Sequence, residues 1–119
     1  MRCRMFPLIV AGLGLLVSCS VSRAADRKLE FNRDVRPILS NNCFLCHGPD
    51  PKHREGGLRL DQKEAATAKL ESGHVGIVPS DLTASEVIRR ITLQNPDEQM
   101  PPKASGKSLT AAEISILKR

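Results

Sequence analysis

The sequence predicts an all-α fold of about four helices with long loops, and three observations carry that prediction. Apolar residues recur at helical spacing in the stretches around Val35, Val87 and Ile114. No stretch alternates polar and apolar residues over a convincing strand length. Proline and glycine are concentrated in two connecting segments, residues 48–60 and 94–108, which read as extended loops. At 119 residues the chain has room for one small domain.

The first 24 residues stand apart from that domain. Arg2 and Arg4 precede an uncharged, mostly apolar stretch at 6–17, the layout of a signal peptide. Twelve residues are too few to cross a bilayer core, which needs about 20 helical ones. Two exits are readable: cleavage after Ala24, with small residues at Ser22 and Ala24, or a lipobox-like Leu16-Val17-Ser18-Cys19 that leaves a lipidated Cys19. Both place the domain outside the cytoplasm, periplasmic or in the cell envelope, with membrane contact only through a lipid on Cys19. Residues 25–30 are polar and read as a flexible lead-in to a domain over 31–119.

Within the domain, Phe31, Val35, Ile38 and Leu39 fall on one helical face. Pro37 requires that helix to begin close before it, with Asn32 or Asp34 as cap, and Asn41-Asn42 to end it. Residues 61–71 are rich in helix formers and are followed by Gly73, a C-terminal stop signal. Thr83 and Glu86 have capping-box spacing ahead of the apolar stripe Val87, Ile88 and Ile91. Thr110 and Glu113 repeat that box before Ile114, Ile116 and Leu117. The last helix has barely two turns before Arg119, so the chain reads as a fragment or a truncated gene product.

Composition narrows the function. The formal charge of +5 overstates the domain, because removing residues 1–24 takes away Arg2, Arg4 and Arg23 and no acid. That leaves 15 basic against 13 acidic residues. With no basic run longer than Arg89-Arg90 and only three aromatics, nucleic-acid binding finds no support. Aromatic residues supply much of a small core's buried area, so a domain with only Phe31 and Phe44 and no Trp or Tyr needs apolar bulk from a cofactor, a partner or a larger parent chain.

The chemistry is concentrated at 43–47, Cys43-Phe44-Leu45-Cys46-His47. Cys-x-x-Cys-His is the attachment signature of c-type haem. Two thiols one helical turn apart can each form a thioether to a vinyl edge of the porphyrin, with the adjacent His as proximal iron ligand. Attachment takes place outside the bacterial cytoplasm, in agreement with the leader. A thioredoxin-like couple, half of a zinc site or a plain Cys43–Cys46 disulfide are the competing readings. The first lacks a surrounding strand–helix pattern, and the second has only His47, His53 and His74 to complete it.

For the distal iron position the domain offers Met100, His74 and His53. Met100 is favoured, because it follows His47 by 53 residues in a loop stiffened by Pro101 and Pro102. Phe44, Leu45, Pro49, Leu58, Leu60, Val87, Ile88, Ile91 and Ile114 are the expected apolar pocket. The Pro49 carbonyl is the expected acceptor for His47 Nδ1–H.

These residues resemble the planctomycete-type cytochrome c domain, a class-I-like c-type cytochrome. The resemblance rests on Phe31-Asn32-Arg33-Asp34-Val35-Arg36-Pro37-Ile38-Leu39, the run from Cys43 to Pro49, and Gly56-Gly57-Leu58-Arg59-Leu60-Asp61. It continues through Ser85-Glu86-Val87-Ile88-Arg89-Arg90-Ile91, Met100-Pro101-Pro102-Lys103 and Leu109-Thr110-Ala111-Ala112-Glu113-Ile114. It implies a small cytochrome c-like fold around a covalent haem c, with Cys43 and Cys46 as attachment points, His47 proximal and Met100 distal to the iron. It also implies electron transfer to a redox partner protein or to a downstream domain of a longer chain. Members typically continue the final helix, whereas this chain stops at Arg119.

Three function classes follow from the sequence. The first is a one-electron carrier that is not itself an enzyme. The second is a haem sensor or peroxidase-like domain with an exchangeable sixth ligand. The third is a non-haem secreted interaction module closed by a Cys43–Cys46 disulfide.

Overall fold

The structure, a computed structural model, describes residues 27–119. The leader, its two exits and Cys19 lie outside the described residues. Five short α-helices follow in order: α1 Arg36–Asn42, α2 Phe44–His47, α3 Lys63–Ala66, α4 Glu86–Thr92 and α5 Ala111–Leu117. A single 3₁₀ turn, Lys103–Ser105, interrupts the loop before α5. Among the described residues there is no strand, only isolated bridges of Val75 with Lys69 and with Ser85. None of these helices is long and apolar enough to cross a membrane.

The first helix starts differently from its apolar spacing. Phe31–Val35 form a π-helical turn, and α1 continues from it with Pro37 in its first turn and no side-chain cap. The wider turn breaks the four-residue register. Phe31 is therefore exposed, while Ile38 and Leu39 are buried. Asp34 serves the lead-in instead of capping α1. Its carboxylate accepts from Glu30 N at 2.8 Å, Arg27 at 2.7 Å and Arg33 at 2.8 Å. The Arg33 guanidinium, the Glu30 N–H and Arg27 together hold that carboxyl well below the usual range. Arg119 closes the other end by donating to Arg27 O at 2.9 Å.

The expected helix over 61–71 shrinks to the single turn of α3. Thr67 Oγ1 turns back to Lys63 O at 3.0 Å, and the Ala66 carbonyl accepts from Ile77 N at 2.8 Å, outside any helix. Leu70 N then bonds His74 O, so Gly73 sits in a tight reversal with φ of 86° rather than at a helix end. Tertiary contacts to the 74–78 segment thus override a favourable local propensity.

The start of α4 also departs from the sequence reading. Its N-cap is Ser85, whose side chain accepts from Val78 N and donates to Asp81 O. Asp81 holds Thr83 N and Ala84 N, so the Thr83–Glu86 box does not form and the Glu86 carboxylate is available elsewhere. At α5 the Thr110–Glu113 box is complete, with both reciprocal bonds made.

The core is Leu39, Leu58, Leu60 and Ala66, with Val35, Phe44, Leu70, Ile77, Val87 and Leu117 packed around it. No described side chain reaches full burial. α5 lies against α4 and the opening π-helical turn, which brings both ends of the domain together.

Candidate haem site

The site is built on the short break between α1 and α2. Cys43 N donates to Leu39 O at 2.8 Å, ending α1. Cys43 O accepts from Cys46 N at 3.1 Å and His47 N at 2.8 Å, so residues 43–47 form one helical turn. That turn puts the two cysteines on a common side with His47 at its end. Gly48 follows because a Cβ there would strike Phe44 O. The loop after it folds back over the turn: Glu55 N donates to Cys46 O and Leu60 N to His47 O, each at 2.8 Å. Gly56 and Gly57, with φ of 59° and 69°, make that reversal in a region that L side chains resist.

Two adjoining cavities, the two lobes of the site, share walls at this turn. The smaller, about 110 Å³, is lined by Cys43, Leu45, Cys46, His47, Ile91 and Met100, among others. The larger, about 340 Å³, is bounded by Cys43, His47, Leu58, Leu60, Ile91 and Met100, with Glu86 and Arg90 at its polar side. Together they fall within the ~300–1,000 Å³ range of cofactor sites. Cys43, His47, Ile91 and Met100 border both lobes, so the proximal and distal candidates face one space.

The donors are in usable chemical states. Burial pushes the Cys43 thiol up to about 11 and leaves it protonated at neutral pH. Both cysteines are free thiols. Burial also lowers the His47 imidazole, opposed by the Glu55 backbone and charge and by the Leu58 backbone, which keeps a neutral ring with a lone pair to offer. His47 Nδ1 is buried without a hydrogen-bond partner. The Pro49 carbonyl, expected to accept from it, instead accepts from Arg54 Nη2 at 3.0 Å. The Arg54 guanidinium reaches Gly48 O as well, at 3.4 Å. A His47 ring that shares one cavity lining with two thiols and the Met100 thioether is a donor set that fits a ring-ligated iron porphyrin.

The alternative distal ligands lie elsewhere. His53 is exposed and paired with Asp50 at 2.8 Å, and His74 is exposed with Nδ1 4.0 Å from Glu86. Among the described residues no three His, Cys, Asp or Glu side chains converge as a metal cluster, so a zinc site finds no donor set there. Of the expected pocket residues, Leu45, Leu58, Leu60, Val87 and Ile91 line the cavity. Phe44 packs into the core, and Pro49, Ile88 and Ile114 are not part of the lining. Leu70, Glu86 and Arg90 are lining residues that the sequence did not single out. Capping-box spacing hid Glu86, and no local pattern marks the other two.

The profile of a known family, Planctomycete cytochrome C, matches residues 43–104, which is just over half of the chain and runs from the first thiol past Met100. The chain belongs to the planctomycete cytochrome C family. Membership implies haem binding and electron transfer. It also places the resemblance noted from the sequence on the segment that carries the site. Searches of curated proteins and of solved structures gave no match.

Proposed function

We propose that the chain is a c-type haem-binding, one-electron carrier domain that works outside the cytoplasm, with a small cytochrome c-like fold closing around a covalent haem c. The observation that carries this reading is the single cleft shared by Cys43, Cys46, His47 and Met100. Cys43 and Cys46 would hold the porphyrin through thioethers, His47 would be the proximal ligand and Met100 the distal one. Bound there, the haem iron supplies a ferrous–ferric couple.

The chain's own residues do the rest. The α1–α2 break fixes the thiols, the fold-back at Glu55 and Leu60 locks the His47 turn, and Leu58, Leu60, Leu70, Val87 and Ile91 exclude water. Exposed Leu45, beside Cys46, keeps part of the cleft rim at the surface, where a redox partner protein or a further domain of a longer chain would approach. The leader at 1–24 supports export.

The test is a reduced pyridine haemochrome spectrum of protein expressed in the periplasm with the haem-maturation machinery, together with a denaturing gel stained for haem. The expected result is a c-type α-band and haem retained on the denatured chain, both lost in Cys43→Ala/Cys46→Ala. Absence of covalent haem in the wild-type chain would refute the proposal.

A further inference from the structure

The loop that presents Met100 is fastened to α4, and the two arginines that help fasten it share a single carboxylate. Residues 95–99 close on themselves: Glu98 N and Gln99 N donate to Asn95 O at 3.2 and 2.9 Å. The closed turn is attached to α4 at three points. Met100 N donates to Arg90 O at 3.1 Å, Arg90 Nη1 to Glu98 O at 3.2 Å, and Arg89 Nη1 and Nη2 to Glu98 Oε2 at 3.2 Å.

Both arginines are oriented by Glu86. Its Oε2 accepts from Arg89 Nε at 2.8 Å, and its Oε1 accepts from Arg89 Nη2 at 2.8 Å and Arg90 Nε at 2.7 Å. The Glu86 side chain is only 11% exposed and lines the larger lobe of the cavity. A free arginine has several rotatable bonds and loses rotamer entropy on holding a loop. A carboxylate that has already fixed two guanidiniums removes that cost from the loop's side of the balance.

We infer that Glu86 is a positioning residue for Met100: through Arg89 and Arg90 it holds the 95–100 loop on α4 and thereby keeps the thioether presented to the His47 side of the cleft. The inference rests on Met100 as distal ligand. A helix-surface role alone would make Glu86 a pair of i,i+3 and i,i+4 contacts, silent at the iron.

The experiment uses covalently loaded holoprotein with Glu86→Gln, which preserves shape and removes the charge. Three readouts are taken: the near-infrared sulfur-to-iron band of the ferric form, carbon monoxide affinity of the ferrous form, and amide exchange across 95–100. Expected are a weakened band, an affinity rise of about tenfold as Met100 is displaced more readily, and faster exchange at Met100. A Glu86→Gln protein with all three as in wild type, whatever its melting temperature, overturns the inference. Should that variant not load haem, Glu98→Ala decides, since it cuts the Arg89 attachment at an exposed side chain. The same shifts in lesser degree support the inference, and unchanged readouts overturn it. Met100→Ala is the reference. If it keeps the sulfur-to-iron band, the ligand reading fails and the Glu86 role falls with it; if it loses the band while Glu86→Gln keeps it, only the Glu86 role fails.

Discussion

Ile91 offers the sharpest separation between a residue that stabilises the chain and one that also conditions the iron. It is 5% exposed, sits on the apolar stripe of α4, and borders both lobes of the cleft between His47 and Met100. In the holoprotein, Ile91→Ala deletes buried methyl groups on a wall that the cofactor would press against, at a cost of about 3 kcal/mol. Ile91→Val removes one methyl and costs about 1 kcal/mol. For a domain of this size, roughly 4–8 °C is lost per kcal/mol, so the two melting temperatures should fall by about 12–24 °C and 4–8 °C. Ile38 is the control: it is equally buried, at 6%, but does not line the cleft. Ile38→Ala should destabilise comparably and leave the reduction potential where it was. Ile91→Ala should also lower the potential, because water admitted beside the iron favours the more highly charged ferric state. Thermal melts followed in the Soret band and spectroelectrochemical titration measure both quantities on the same samples. An unmoved potential in Ile91→Ala, or an equal shift in Ile38→Ala, would refute the placement of the cofactor against α4.

Gly48→Ala should prevent a native 43–47 turn, because the new Cβ meets the Phe44 carbonyl and also lies 2.9 Å from Phe44 Cβ; haem-stained yield should collapse, and near-normal yield would contradict the geometry. Thr110→Ala breaks the α5 capping box and should cost about 1 kcal/mol with an unchanged visible spectrum, checked by denaturant titration. Arg89 and then Arg90 hold the Glu86 carboxyl down to about 2 from an ordinary 4.5; the His74 imidazole lies 4.0 Å away, and Glu98 shares Arg89 with it. A carboxylate depressed in the folded state contributes its full stability above the unfolded value and loses it as pH falls toward the folded one. Wild type should therefore exceed Glu86→Gln by about 1–2 kcal/mol at pH 7, after allowance for screening at the cavity mouth, and the gap should close between pH 4.5 and 2; a constant gap in urea unfolding would count against the ion-pair account.

Much of the site is readable before any coordinates because its parts are local. The Cys43–His47 spacing lies within one helical turn, the Thr110–Glu113 box within another, and Met100 is marked by the two prolines that follow it. What escapes the sequence is set by contacts distant along the chain. The favourable run at 61–71 yields one turn because Ala66 O is taken by Ile77 N and Leu70 N by His74 O. Asp81, five residues earlier, does the local work that spacing assigns to Glu86, and Glu86 gains its role only when 95–100 closes onto α4. The Arg54 contact with the Pro49 carbonyl, at 3.0 Å, is likewise made across the loop and has no local signature.

The reversal at Gly56-Gly57 has a stereochemical consequence. Both residues have positive φ, and a side chain built on either would meet nothing within 4 Å. The barrier to substitution there is handedness alone. A D-alanine introduced at position 57 by chemical ligation adopts the φ of 69° without backbone strain. L-alanine at the same atom count is destabilising. The two glycines thus turn a loop whose sequence looks merely permissive into one with a defined backbone handedness.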